Sequence, residues 1–246
     1  MNPQPLLGKS VFVTGGARRI GREIALTLAG AGADLTITYR SSKTDAAETV
    51  RAIEDLGRRA LAVECDVRSE VSVRAGLSAC LHFHQRLDVL VNNAAVFESS
   101  PLDKISLEQW DAVFETNARG PFLVAREALT ALRENEGRIV NIGSLGGSQA
   151  WSGHGHYCSS KAALHMLTQV MAKSFAPEVS VNCVAPGWIE MEEGPDAADV
   201  AARFAARAPL KRNGKASDVA ATVLFFASGP RFITGQILTV DGGLGL

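Results

Sequence analysis

The chain has 246 residues, the length of one large α/β domain, with 46% apolar and 21% charged residues. Its net charge of -1 gives no electrostatic case for nucleic acid or an anionic membrane, and its apolar runs are too short to span a bilayer. The four cysteines show no CxxC or zinc spacing and the first residues lack the marks of a signal peptide, so a cytoplasmic chain with reduced thiols is expected.

Strand-like and helix-like segments alternate along the chain. Ser10–Thr14 reads as a strand and Ile20–Ala31 as a helix. Asp34–Tyr39 alternates toward a second strand, and Asp45–Gly57 has a helical apolar period that ends on a glycine. Ala60–Cys65 is a third strand, followed by a helix over Val73–His84 whose His82 and His84 fall on a solvated end. Leu87–Val91 is a buried strand, and a helix from Ser106 to Arg119 runs on toward Leu132 with a kink at Pro121. Gly137–Ile142, Ser180–Val184 and Ile237–Val240 are the remaining strands, with helices over Tyr157–Phe175 and Ser217–Ala227. This alternation implies βαβ units with right-handed crossovers. It predicts one doubly wound α/β domain, a parallel sheet of about seven strands with helices on both faces. Residues 187–214 differ in texture, hold a helical-looking Asp196–Arg207, and read as an insertion that lids the carboxyl ends of the strands.

The turn Thr14–Gly21 (TGGARRIG) joins a strand to a helix and reads as a phosphate cradle. Gly15 and Gly21 permit close approach of the backbone, and Arg18, Arg19 and Ile20 complete the turn. Arg19 stands where such loops often place another glycine. The second strand ends at Tyr39, and Arg40 and Ser41 follow in place of the acid that usually binds a ribose 2′-OH. An arginine there offers a planar fork of donors to a 2′-phosphate, so NADP(H) is the expected cofactor. Asp66, after the third strand, is a candidate acceptor for the adenine amino group, next to Val67.

Tyr157 and Lys161 are four residues apart and share one helix face, with Ser144 just after the fifth strand and Asn117 in an earlier helix. Reducing a carbonyl requires a proton for the developing oxyanion. Tyrosine has a reference pKa of about 10, which a neighbouring ammonium lowers. Ser144 can hold the same oxygen, and Asn117 can bind a water that connects the lysine to solvent.

With these residues assembled, the chain resembles the short-chain dehydrogenase/reductase family from about Leu7 to Gly243. The matching marks are TGxxxxxG at Thr14–Gly21, NNA at Asn92–Ala94, Asn117, Ser144, Tyr157 with Lys161, Pro186-Gly187, and the VDGG end. The resemblance implies a Rossmann-fold NAD(P)-dependent oxidoreductase acting on a small molecule, assembled as a homodimer or homotetramer. It implies a tetrad of Asn117, Ser144, Tyr157 and Lys161, with Lys161 also bonding the nicotinamide ribose. Asn92 would fix the loop after the fourth strand, and Asn93, Ala94, Pro186, Gly187 and Ile189 would line the cofactor.

A narrower resemblance, to pteridine reductases, rests on TGxxxRxG, on Tyr39-Arg40-Ser41, and on Phe97 shortly after NNA. It implies that the Phe97 ring stacks on a pterin; a core or lid contact is the other reading of Phe97. Ser144 stands where the best-known pteridine reductases carry an aspartate, and Met191 where the family often carries a threonine. Trp151 and His154 or His156 can line the substrate pocket. His154 and His156 lack a third partner, so no metal is expected. Glu190, Glu192 and Glu193 are either solvated or set against anionic substrates. The expected activity is hydride transfer to a C=O or C=N bond. A 3-oxoacyl-thioester (acyl-carrier-protein) reductase is the alternative. A non-catalytic NADP-sensing scaffold is a third reading, against which both Tyr157 and Lys161 are present.

Overall fold

The computed structural model describes residues 4–190 and 197–246. Seven strands form one sheet, all neighbours parallel, in the order β3-β2-β1-β4-β5-β6-β7. The strands are β1 (Ser10–Val13), β2 (Asp34–Tyr39), β3 (Ala60–Glu64), β4 (Val89–Asn92), β5 (Arg138–Ile142), β6 (Ser180–Pro186) and β7 (Ile237–Val240). The chain winds outward from β1 to β3, then returns to the other side of β1 with β4. This reversal opens a crevice at the carboxyl ends of β1 and β4, where ligands sit in such sheets.

Side-chain alternation along each strand feeds two separate cores. Val11 and Val13 of β1, Val89 and Val91 of β4, and Val140 and Ile142 of β5 face one side. There they meet Ile24 and Leu28 of α1 (Arg19–Gly30), Ala46 and Ile53 of α2 (Lys43–Asp55), and Val219, Val223 and Phe226 of α8 (Ala216–Ser228). Phe12, Leu90, Ile139 and Val181 face the other side. They pack on Leu77 and Cys80 of α3 (Glu70–His84), Val124 and Leu132 of α5 (Gly120–Glu134), and Met171 of α6 (Gly155–Ser174). Strands sandwiched this way are rich in β-branched and other apolar residues, as Val89–Val91 of β4 is.

Two expectations need correction. The kink placed at Pro121 lies one turn earlier. The helix α4 (Leu107–Phe114) passes into a single π-helical turn, Glu115–Arg119, and α5 begins there with Pro121 in its first turn. Proline is tolerated at that position because it has no amide hydrogen to leave unpaired. His82 is exposed as expected, but His84 is buried at 4% exposure, edge-on to Phe83, and burial lowers its pKa. The left-handed Gln85 after it ends α3 and turns the chain back toward β4.

The inner ends of β4, β5 and α6 are joined by a buried polar chain. Asn92 Nδ2 donates to Asn141 Oδ1 at 2.9 Å, and Asn141 Nδ2 donates to Thr168 Oγ1 at 2.9 Å. Thr168 in turn donates to the Leu164 carbonyl at 2.8 Å. These buried links tie the helix to the two strands in fixed register. Among the described residues no helix is long and apolar enough to cross a membrane. The substitution Asn141→Ala removes both buried links at once. We expect it to cost on the order of 2–5 kcal/mol, read as a lower urea midpoint at unchanged slope.

Candidate active site

The candidate residues of the nucleotide turn and of the catalytic cluster follow the carboxyl ends of β1, β2, β3, β4 and β5. The turn after β1 is shaped by contacts that exclude side chains. Gly15 has φ +64, and a Cβ on Gly21 would lie 2.1 Å from the Gly15 carbonyl oxygen. Arg18 precedes α1 without a side-chain cap, and the first turn of α1 carries no acid, so its amides remain available to an anion. Arg19 takes φ 54, the left-handed region that favours glycine. An L side chain there costs roughly 1–2 kcal/mol. The conformation usual for a glycine is thus kept while an arginine is presented at the turn.

The turn is clamped from β4. The Thr14 hydroxyl accepts the Asn93 and Ala94 amides at 2.9 and 3.0 Å. Asn93 Nδ2 donates to the Thr14 and Gly15 carbonyls, each at 3.0 Å. The clamp expected of Asn92 is therefore made by Asn93, because successive strand residues point to opposite sides and Asn92 points inward to Asn141. Thr14 was not anticipated, although its place before the glycines marks it.

Three neighbouring strand ends build the far side of the crevice. Gly15 and Gly16 bond Thr38 of β2, which brings the turn beside Tyr39, Arg40 and Ser41. Arg18, Arg40 and Ser41 are exposed. Asp66, expected to meet an adenine amino group, is already paired. Arg68 donates to both of its oxygens, at 2.6–3.1 Å, and adds its backbone amide at 3.0 Å. The Arg68 hydrogen bonds hold this carboxyl below its ordinary range, and the Arg40 charge adds to the effect. Val67 is buried against Gly120, where a Cβ would come within 2.9 Å.

The catalytic candidates converge where β5 meets α6. Ser144 follows β5, and its Oγ accepts the Gly146 amide at 3.1 Å, which leaves its own O–H to donate. It acts on the Tyr157 hydroxyl, pulling that group's pKa down. Lys161 is 2% exposed, and its Nζ donates to the Ile142 carbonyl at 2.8 Å. Burial pushes this ammonium down to about 8. The expected lowering of Tyr157 by Lys161 is corrected by this arrangement. The ammonium is held on the Ile142 carbonyl and over the phenol face, 5.8 Å from the ring centroid. Burial therefore dominates and raises the Tyr157 phenol above its ordinary 10.0, against the pull of Ser144. Asn117 lies in the π-helical turn, fully buried. Its amide accepts from Val96 N–H at 2.8 Å and donates to the Val96 carbonyl at 2.9 Å and Ser160 Oγ at 3.1 Å. This side chain clips the segment after β4 to α6.

An aromatic wall stands over Tyr157. The Phe97 ring is 55% exposed, stacked on His154 at 4.6 Å and edge-on to Tyr157 at 4.8 Å. Phe97 is thus not core packing: among the described residues its ring lies against His154 and beside Tyr157. Trp151 lies parallel to the Tyr157 ring at 6.3 Å. His154 is turned by a hydrogen bond from Nδ1 to the Glu98 carbonyl at 2.8 Å, and His156 is fully buried 3.8 Å from the Glu98 carboxylate. Among the described residues no group of three or more His, Cys, Asp or Glu could hold a metal.

The insertion leaves the sheet after Pro186. Gly187 is required there, since a Cβ would lie 2.6 Å from Asp241 Cβ. Ile189 and Gly214 bridge its two ends, and Trp188 stacks on Phe204 of α7 (Ala197–Arg207) at 4.2 Å. Glu190 is exposed, whereas Met191, Glu192, Glu193 and Asp196 lie outside the described residues.

A parallel sheet in this order, with a phosphate turn at the switch point and a Ser–Tyr–Lys cluster beside it, defines the nucleotide-dependent oxidoreductase class of Rossmann fold. A family model described as enoyl-(acyl carrier protein) reductase matches residues 15–245. A 3-oxoacyl-(acyl-carrier-protein) reductase of Synechocystis sp. is 36% identical over 245 residues, 97% of this chain and 98% of the relative. A short chain dehydrogenase of Burkholderia cenocepacia, solved in complex with NADP, superposes with a TM-score of 0.91 at 39% identity, covering 98% of this chain and 100% of that one. A blue fluorescent protein from a metagenomic library, solved with NADPH, gives a TM-score of 0.92 at 36% identity over 99% of this chain and 100% of that one. The chain belongs to the short-chain dehydrogenase/reductase family. None of these three relatives is named as a pteridine reductase.

The buried lysine makes a measurable signature. Folded, Lys161 titrates near 8; unfolded, it returns to 10.5, so between these values the unfolded chain binds the extra proton. Stability from this group therefore rises with pH across that window. Lys161→Met lacks this gain. We expect the difference in melting temperature, variant minus wild type, to become more negative by a few degrees from pH 8 to 10.5. A pH-independent difference would mean an unperturbed lysine.

Proposed function

We propose that the protein is an NADP(H)-dependent reductase of a C=O or C=N bond in a small substrate. The observation that carries this reading is the buried Tyr157 phenol, with Ser144 acting on it and the buried Lys161 beneath it, beside a helix N-terminus without a side-chain cap. The residues fit the cofactor. Gly15 and Gly21 leave a cradle that a Cβ would fill, and the arginines at 18 and 40 stand exposed on adjoining strand ends, where a 2′-phosphate needs donors. Asp66 would reach adenine only by sharing its carboxylate with Arg68.

When bound, NADPH supplies a hydride to the electrophilic carbon. The chain supplies everything at the oxygen or nitrogen. Ser144 donates a hydrogen bond to it, holding the double bond against the nicotinamide site. Tyr157 transfers its phenolic proton to it as negative charge develops. A phenol raised above 10.0 is protonated at neutral pH, which is the state a reductase requires. The Lys161 ammonium, held on the Ile142 carbonyl under the phenol ring, is placed to bond the ribose of a nicotinamide bound there. Asn117 keeps the Val96 segment in place, and with it the Phe97 ring.

Two substrate classes follow from separate observations. The exposed Phe97 ring beside Tyr157, together with Arg19, favours a flat heteroaromatic such as a dihydropterin. The names of relatives such as the Synechocystis enzyme favour a 3-oxoacyl thioester. NADPH oxidation with dihydrobiopterin, diketones, quinones and acetoacetyl-CoA separates them. Turnover of dihydrobiopterin selects the first class, and turnover of acetoacetyl-CoA alone selects the second.

On whichever substrate is turned over, Tyr157→Phe should lower kcat on the order of a thousandfold while NADPH binding stays intact. Retained turnover would sink the proton-donor role. Arg40→Asp should weaken NADPH far more than NADH, measured as Kd by fluorescence titration. Equal loss for both would remove the 2′-phosphate assignment.

A further inference from the structure

His165 has no part in the reaction described so far, yet it lies on the same face of α6 as Tyr157 and Lys161, each four residues from the next. It is 8% exposed. Its ring fills a slot that only glycines leave open. A Cβ on Gly143 would lie 2.5 Å from Nε2, and a Cβ on Gly147 would lie 2.5 Å from Cε1. The loop carrying Ser144 therefore wraps around this imidazole, with one glycine against each part of the ring.

We propose that His165 is a positioning residue for the catalytic serine: its Nε2 accepts the Ser144 backbone amide, and its ring sets the height of the 143–147 loop, so that the Ser144 hydroxyl meets the substrate oxygen in line with Tyr157.

The hydrogen bonds around the loop leave this task to His165. Gly143 N–H is taken by the Val184 carbonyl at 2.7 Å, the last bond of the β5–β6 ladder. Ser144 N–H points away from β6 and donates to His165 Nε2 at 3.5 Å. The Ser144 hydroxyl and carbonyl are already used within the loop, accepting from Gly146 N–H at 3.1 Å and Gly147 N–H at 2.9 Å. Without the imidazole the buried Ser144 amide has no partner, and the turn can sink into the vacated space. An Nε2 that accepts requires the proton on Nδ1 and a neutral ring. Burial lowers the pKa of His165, and the Lys161 ammonium adds to the lowering, so the ring stays neutral at working pH. The titratable groups around it are Lys161 on its own helix and Cys183 of β6, whose Sγ shares the Gly143 contact. Burial pushes that thiol up to about 12, so it brings no charge to the ring near neutral pH.

The proposal rests on the reductase reading for its kinetic arm, and a second arm needs no turnover. In the kinetic arm, His165→Leu keeps bulk and removes the acceptor, whereas His165→Gln offers an amide oxygen near the position of Nε2. We expect kcat for His165→Leu to fall on the order of tenfold, with KM and the NADPH Kd little changed, and His165→Gln to restore most of it. Equal losses in both variants, or wild-type kcat in His165→Leu, would overturn the proposal. In the second arm, ¹⁵N NMR of the wild-type imidazole should report the Nδ1–H tautomer, unchanged from pH 6 to 8. An Nε2–H tautomer or a titrating ring would overturn it, whatever the variants do. A correct tautomer in a protein without reductase turnover would instead locate the failure in the proposed function.

Discussion

A lysine ammonium buried on the carbonyl of Ile142 is the constraint around which the site is built. Removing a cation from water is costly, and the fall of Lys161 to about 8 records that cost. The group is held in place because β5 and α6 cannot move apart. Asn92, Asn141 and Thr168 join them within the sheet, and Asn117 joins α6 to the segment after β4 through Ser160. Tyr157 inherits its place from the same helix. A shift of either strand or helix would expose the ammonium and separate Tyr157 from Ser144 together.

The nucleotide half of the crevice follows a different logic. Its backbone is forced into shape by contacts that forbid side chains, and the charges are left at the rim. Gly21 lies against the Gly15 carbonyl, and Thr14 and Asn93 hold the turn to the end of β4. Arg19 accepts a left-handed backbone so that a guanidinium can stand where a glycine usually does. Strain of this kind persists only where the surrounding bonds over-determine it, which is the case for this turn. The two halves meet at β4, whose Asn92 serves the catalytic side and whose next residue serves the phosphate side.

Much of this was legible along the chain. Short β-branched and apolar segments alternating with helical ones marked all seven strands, most strongly where a strand such as β4 is buried on both faces. Tyr157 and Lys161 were legible because four residues on a helix fall on one face. The misassignments share a cause. Asn92 and Asn93 are adjacent and chemically identical, and only the pleat decides which one faces inward. His84 looked like a solvated end because its spacing does not reveal that the following left-handed residue folds the helix end under the sheet. The π-helical turn that holds Asn117 was not legible, because it has no sequence mark comparable to Pro121.

By itself the sequence determined the fold class, the family, the tyrosine and lysine, and the arginines at the ends of β1 and β2, since each depends on residue type at a local spacing. Tertiary structure decided what those groups experience. The phenol is raised and not lowered, Asp66 is already paired with Arg68, and the His165 ring carries the Ser144 loop. Burial, charge proximity and the direction of a lone pair arise between residues far apart along the chain, and only packing brings them within reach.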